Sequence, residues 1–279
     1  MTTQFDTIED ALAAIAAGDM IVVVDDDDRE NEGDLIMAAS KATPEKVAFM
    51  IRHTSGILCT PILEEHARRL HLDPMVARND APMSTAFTVS IDYAQGLTTG
   101  ISAEERAATS QALANSNVSA EDFVRPGHIF PLVARQGGVL VRSGHTEAGT
   151  DLAALAGLPP VGLLAELVND DGTVQRLPQL LEFAKVHKLR IITIDEFPVN
   201  VAPSRHMLFT RHRDMPGIIG HLGSVLGEHN VNIASMQVGR RIVRGDAVMV
   251  LSLDDPIPPS LLVSVHAING IQEAHPVTL

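Results

Sequence analysis

Met20-Ile21-Val22-Val23-Val24-Asp25-Asp26-Asp27-Asp28-Arg29-Glu30-Asn31-Glu32-Gly33-Asp34 is the stretch from which the fold and chemistry of this chain are best read. Ile21 to Val24 form a short, apolar, β-branched run, the pattern of a strand buried in a sheet. The acidic run after it does nothing for folding. Its carboxylates repel one another, and burying them uncompensated is costly. Most acidic runs are solvated loops. Here Arg29, Asn31 and Gly33 interrupt the run, and low-complexity acidity has no need of them. Such a strand end suits a cation or a hydroxyl-rich ligand. Hard cations such as Mg²⁺ take oxygen ligands and keep several waters.

The chain has 279 residues, enough for a large core and more naturally two domains than one. With 21 basic residues against 35 acidic ones, its net charge is -14, which argues against a nucleic-acid surface. It has no Trp and one Tyr, so platforms for base stacking are scarce as well. An anionic substrate would need a few local Arg residues to reverse the field. Cys59 is the sole cysteine, which excludes an intrachain disulfide and a multi-cysteine metal site. Met1 to Asp6 shows no leader pattern, and no apolar run reaches membrane-spanning length. The expectation is a cytoplasmic enzyme with neither membrane nor nucleic acid as partner.

Around the opening strand, helical and strand patterns alternate. Ile8, Leu12 and Ile15 share a helical face, with Thr7 and Asp10 as a capping pair and Gly18 as a stop. Pro44 to Ile51 reads as a helix, His53-Thr54-Ser55-Gly56 as a turn and Ile57-Leu58-Cys59 as a short strand. Ala86 to Ile91 alternates like a strand, and Ser102 with Glu105 caps a helix over 103–114. Gly138-Val139-Leu140-Val141 and Val161-Gly162-Leu163-Leu164 read as core strands, Leu177 to His187 as an amphipathic helix and Arg190 to Ile194 as a strand. This intermixture predicts a three-layer α/β/α domain with a mixed sheet over residues 1–200. Pro198 to Ser204 reads as a linker. Over 205–279 the order becomes βαββαβ, the ferredoxin-like arrangement, so the chain as a whole is α+β.

Several clusters could carry chemistry besides Arg29–Asp34. His128 follows Arg125-Pro126-Gly127, which places it on a turn, where it is either a proton-transfer group or an exposed histidine. Arg142-Ser143-Gly144-His145-Thr146-Glu147 lies between a strand and a helix and makes a good anion cradle. A helix start offers free N–H groups, Gly144 lets the backbone approach, and Arg142 can grip a phosphate through two hydrogen bonds. Thr146 could equally be the helix N-cap, and His145 a metal ligand or an exposed loop histidine. Glu166 sits in the apolar run Leu163–Leu167, where burial would raise its pKa toward the range useful for proton transfer and strand alternation would instead turn it to solvent. Thr98-Thr99-Gly100-Ile101-Ser102 reads as a helix cap, and Cys59 as a small core hydrophobe.

Together these stretches resemble 3,4-dihydroxy-2-butanone 4-phosphate synthases. The resemblance rests on Asp28–Asp34, Thr85-Ala86-Phe87-Thr88-Val89, Arg125–His128, Arg142–Ala148 and Glu166-Leu167-Val168-Asn169-Asp170-Asp171-Gly172, in order along residues 1–200. It implies conversion of D-ribulose 5-phosphate to L-3,4-dihydroxy-2-butanone 4-phosphate and formate, in riboflavin biosynthesis, by a homodimer with active sites near the subunit interface. It further implies magnesium, or manganese in its place, on Glu30 and His145. Substrate contacts fall on Arg29, Glu30, Asp34, Arg142, Ser143, Gly144, His145, Thr146 and Glu166, and proton transfers on His128 and Glu166. Glu32 and Cys59 fall at further active-site positions. Asp27 stands where that pattern has Glu, and Glu105 where it has Asp.

The second segment resembles an ACT domain, particularly the one ending D-3-phosphoglycerate dehydrogenases, through His212–Gly220 and Asn230–Gly239. That likeness implies side-by-side pairing and an amino-acid effector at His212, Asp214 and Asn232, or pairing alone. A fusion to a GTP cyclohydrolase II, with its cysteine-bound zinc, is excluded by the single cysteine. The alternative from another class is a catalytically silent sensor of amino acids or sugar phosphates. The presence of Glu30, His128, His145 and Glu166 together argues against it, because a sensor need not keep all four.

Overall fold

The computed structural model describes residues 5–26, 29–194, 199, 201, 204–240 and 242–278. The chain divides into two compact units, Met1–Asp195 and Glu196–Leu279. Of the expected linker only Val199, Val201 and Ser204 lie among the described residues, and Asp27 and Asp28 lie outside them.

In the first unit the described residues form α1 (Ile8–Ala17), β1 (Ile21–Val24), β2 (Gly33–Ala38), α2 (Pro44–His53), β3 (Cys59–Ile62), α3 (Glu64–Arg69), β4 (Ile91–Tyr93), α4 (Ala103–Leu113), β5 (Phe123–Val133), α5 (His145–Leu155), β6 (Gly162–Glu166), α6 (Leu177–His187) and β7 (Arg190–Thr193). The strands make one mixed sheet in the order β4-β5-β3-β6-β2-β1-β7. β1 runs antiparallel to β2 and parallel to β7. Period-two alternation sends successive side chains into two cores. Val22, Val24, Leu35, Met37 and Leu163 pack with Met50 of α2, Leu113 of α4 and Leu180 of α6. Ile21, Val23, Ile36 and Leu164 pack on the other face with Ile15 of α1 and Leu152 of α5. This is the expected three-layer arrangement, and a β1 buried on both faces explains its unbroken apolar run.

Some local expectations do not hold. The described residues of the acidic run, 25–26 and 29–32, lie in the loop of a β1–β2 hairpin, and its last members, Gly33 and Asp34, already belong to a strand. Gly33 is needed there, because a Cβ would lie 2.5 Å from Leu180 of α6. Gly138 to Leu140 is a single 3-10 turn instead of a core strand, with Leu140 89% exposed. Two consecutive glycines with positive φ, Gly137 and Gly138, bend the chain where a strand was expected. Arg125–His128 lies inside the long strand β5 and not on a turn. Ala86–Ile91 makes only isolated bridges before β4, and Cys59 opens β3 instead of ending a strand.

The second unit contains β8 (His206–Arg213), α7 (Ile218–Glu228), β9 (Ile233–Arg240), β10 (Asp246–Leu253), α8 (Pro259–His266) and β11 (Ile271–Thr278). Its antiparallel sheet runs β11-β8-β10-β9. Leu208, Met249 and Leu251 pack under Leu222 and Leu226 of α7 and Leu261 and Val265 of α8. The order is the expected βαββαβ. Among the described residues no helix is long and apolar enough to cross a membrane.

Candidate active site

The β1–β2 loop is built around Asp25. Its buried carboxylate accepts the backbone N–H of Glu32 at 2.8 Å and of Glu30 at 3.1 Å, and the Arg29 guanidinium at 2.7 Å. Asn31 takes a left-handed φ of 55°, a conformation that Asn tolerates better than most residues. Arg176, the N-cap of α6, donates to the carbonyls of Glu30, at 2.9 Å, and of Asn31. These bonds explain why Arg, Asn and Gly punctuate the acids. The loop is folded back on itself, which leaves the Glu30 and Glu32 side chains half-buried.

Glu30 faces His145, the first residue of α5. The His145 Nε2 is 3.1 Å from the Val23 carbonyl, which can only accept, so Nε2 carries a proton there. Nδ1 then points into the acids, 3.9 Å from Glu30 Oε2 and 3.9 Å from Asp34 Oδ1. Both separations are too long for hydrogen bonds. Asp34 Oδ1 is buried without a hydrogen-bond partner among the described residues. Ligand atoms of Asp25, Glu30 and His145 lie within 4.8 Å of one another.

The electrostatics follow from this crowding. The neighbouring His145 imidazole leads the causes that hold Glu30 down to about 2, with Arg29 adding to it against the cost of burial. Burial pushes Asp34 up, and Glu166, Glu30 and Glu32 add to the effect. Burial works against a charge on His145, but Asp34, Glu30 and Asp25 outweigh it and raise its pKa. Burial also raises Glu32 and Cys59, so Cys59 is a thiol and not a thiolate.

One cavity gathers this cluster. Glu30, Glu32, Asp34, His145 and Glu166 line it with Arg29, Arg142 and Thr146, and Cys59, Phe87, Leu132 and Leu164 give it an apolar side. Glu166 ends β6 directly opposite Asp34 in the sheet register and accepts the Ser55 hydroxyl at 2.7 Å. Arg142 reaches the buried Glu147 at 2.6 Å, and its second nitrogen lies 3.3 Å from the Met83 carbonyl and 3.4 Å from the Thr85 hydroxyl. A Cβ on Gly144 would sit 2.3 Å from that guanidinium.

Residues 9–198 match the family model of 3,4-dihydroxy-2-butanone 4-phosphate synthase, and residues 206–267 that of the ACT domain. The chain belongs to the 3,4-dihydroxy-2-butanone 4-phosphate synthase family. It is 56% identical over 194 residues to the riboflavin biosynthesis protein RibBA of Nocardia farcinica, covering 69% of this chain and 47% of that protein. The chain thus spans about half the length of that curated relative. A crystal structure of such a synthase in complex with two magnesium ions aligns at a TM-score of 0.66 and 42% identity, over 68% of this chain and 94% of that one. RibBX, a two-domain synthase from A. baumannii, aligns at a TM-score of 0.65 and 36% identity, over 91% of this chain and 68% of that one.

Within this synthase-family unit, the structure gathers nine of the residues expected from the sequence around the cavity: Arg29, Glu30, Glu32, Asp34, Cys59, Arg142, His145, Thr146 and Glu166. Ser143, Gly144 and His128 are not in its lining. Gly144 is the N-cap of α5, so Thr146 lies inside the helix rather than capping it. Ser102 does cap α4, accepting the Glu105 N–H at 3.1 Å. The sequence reading missed Asp25 as the loop's organiser, because a run of aspartates hides which one turns inward. It also missed Asp92, which accepts the His128 N–H at 2.8 Å and lies 2.7 Å from its Nδ1. Only the pairing of β4 with β5 brings Asp92 to His128.

In the ACT unit the three expected effector residues do not meet within one copy. His212 pairs with Ala247 at one end of β10, while Asn232 precedes Ile233, which pairs with Leu253 at the other. At about 3.3 Å per residue those ends are roughly 20 Å apart. Asp214 accepts Arg240 at 2.6 Å and the Arg244 N–H at 2.9 Å, and Asn232 donates to Asp254 at 2.6 Å.

Proposed function

We propose that the chain converts D-ribulose 5-phosphate to L-3,4-dihydroxy-2-butanone 4-phosphate and formate, the step that feeds riboflavin biosynthesis. The observation that carries the reading is His145 Nδ1 held equidistant from Glu30 and Asp34 inside a cavity that also presents Arg142 and Thr146. The donor set fits a hard divalent cation such as magnesium: two carboxylates, one with an unpartnered buried oxygen, and an imidazole whose far nitrogen is fixed by a carbonyl. Glu30 and His145 would hold the ion, which when bound supplies Lewis-acid polarisation of the substrate's carbonyl and hydroxyl oxygens.

The chain's own residues divide the remaining work. Arg142 and Thr146, with the first N–H groups of α5, bind the phosphate. Arg29 and Asp34 orient the sugar hydroxyls. Glu166 takes the proton beside the ketone, giving an enediolate, and a group of the opposite protonation state returns protons as water leaves and the skeleton rearranges. Water then adds back to the carbonyl carbon that the rearrangement leaves terminal, and the C–C bond to that carbon breaks to release it as formate. Atoms balance between one pentulose phosphate and its two products, so no redox partner is needed. His128, oriented by Asp92 and with its side chain 40% exposed, stands outside the cavity lining of its own chain. It serves proton transfer across a homodimer interface, with the active sites close to that interface.

Residues 1–200 carry the synthase and 205–279 the ACT module. The module pairs copies of the chain. An amino-acid effector touching His212, Asp214 and Asn232 has to sit between two copies and displace Arg240 and Asp254 from their partners. Incubating the protein with D-ribulose 5-phosphate, with Mg²⁺ and with a chelator, and measuring formate tests the reaction. Formate with Mg²⁺ alone is expected. Its absence from a folded protein under both conditions overturns the reading in favour of a sensor. Calorimetric titration with the common amino acids tests the effector, and heat from none of them leaves pairing as the module's role.

A further inference from the structure

We propose that Ser55 is a positioning residue for Glu166: its hydroxyl fixes one oxygen of that carboxylate and leaves the other for the substrate proton. This rests on the reading of Glu166 as a proton-transfer group. Ser55 belongs to the turn after α2, which the sequence marks only as a break between a helix and a strand. Its backbone N–H donates to the Glu166 carbonyl at 2.8 Å, and its hydroxyl donates to Glu166 Oε2 at 2.7 Å. One residue thus grips both ends of Glu166. The direction of the hydroxyl is set from behind, because the Ile57 N–H points at Ser55 Oγ from 3.3 Å. Occupied as an acceptor, the hydroxyl gives its single proton to the carboxylate.

The turn itself is held rigidly. The Thr54 hydroxyl donates to the Met50 carbonyl at 2.7 Å and accepts the Gly56 N–H at 3.2 Å. Thr54 also bridges Leu167, the residue after Glu166. Arg106, buried on α4, donates to the Gly56 carbonyl at 3.2 Å. Such support is more than a surface turn requires. Ser55 lies outside the cavity lining and is itself exposed. It can therefore affect turnover through Glu166 without touching the substrate, and its substitution empties no core.

Ser55→Ala and Ser55→Thr variants test this. With Mg²⁺ and D-ribulose 5-phosphate, Ser55→Ala should lower kcat about 10- to 100-fold, part of what a positioned acid–base group contributes, while KM stays within about twofold. Ser55→Thr, which keeps the hydroxyl, should restore most of kcat. Unchanged kcat in Ser55→Ala, a rise in KM alone, or no recovery with Thr overturns the proposal. Wild-type formate release reports separately on the reaction. Should wild type release none, carbon-13 NMR of the Glu166 carboxyl, assigned by its loss in Glu166→Gln, still reads the contact. A signal that moves in Ser55→Ala and returns in Ser55→Thr supports it, and an unmoved signal overturns it.

Discussion

Asp34 and Asp214 are both aspartates beside a histidine, in different units of one chain. Asp34 is buried, one of its oxygens has no hydrogen-bond partner among the described residues, and the nearest His145 nitrogen is 3.9 Å away. Asp214 accepts a guanidinium at 2.6 Å and a backbone N–H at 2.9 Å, and its neighbour His212 is buried in the sheet's helix-covered face. In the first neighbourhood Arg29 pairs with Asp25 and Glu30, but the buried Asp34 carboxylate is left short of a partner, an arrangement that is costly until a ligand completes it. In the second, charge is cancelled by the chain itself. That compensation leaves the Asp214 carboxylate open to a ligand only if one displaces a partner, while the buried His212 Nδ1 beside it has no hydrogen-bond partner among the described residues. An acidic or His-containing cluster therefore points to a site through what its groups lack, and not through their number.

The largest effects should come from the uncompensated neighbourhood. Glu30→Gln or His145→Gln should lower formate release roughly 10²–10⁴-fold and abolish Mg²⁺ binding in titration calorimetry, as expected when a group central to the chemistry is lost. Near-normal turnover in either variant would erase the contrast between the units. Asp25→Asn should cost about 10- to 100-fold, the range for an outer residue that orients ligands, because it loosens the loop carrying Glu30 and Glu32. Gly144→Ala should act on substrate binding. Its Cβ would displace the Arg142 guanidinium from 2.3 Å, so KM should rise about tenfold, the worth of one good hydrogen bond to a charged group, with a smaller change in kcat. Alkylation of Cys59 in the folded protein should be slow at neutral pH and fast after denaturation, because burial keeps the sulfur protonated.

Much of this was legible in the sequence because the signals were local. Ile21–Val24 announces a strand through β-branching, and the βαββαβ order of the second unit follows from alternating periods. The acids, the His145 segment and Glu166 could be named in advance because each sits at a strand end or helix start. What the sequence hid depends on pairing at long range. Asp92 reaches His128 across 36 residues and Ser55 reaches Glu166 across 111, and no local pattern marks either partner. The strand expected at Gly138–Val141 failed for a local reason: its valines and leucine are apolar, but two positive-φ glycines set the backbone. The effector triad His212, Asp214 and Asn232 looked like one site because sequence likeness says nothing about which end of a sheet a residue occupies.

The smallest effect, and the one that tests the compensated side of the comparison, is the pH dependence of the second unit. Burial lowers the His212 pKa in the folded state, with Asp214 opposing the shift less strongly. In the unfolded chain the imidazole titrates near its ordinary value of about 6.5. Below that pH the unfolded state binds more protons than the folded one, so stability falls as pH falls and is restored above it. The thermal midpoint of the second unit should therefore drop between pH 8 and pH 5, and drop less in His212→Asn, which has nothing to protonate. Turnover by the first unit should be the same in both proteins at pH 8. If His212→Asn instead keeps the full pH dependence, the buried imidazole is already satisfied when charged. Asp214 would then be compensating a charged His212 as well as Arg240, and the second neighbourhood would be balanced throughout.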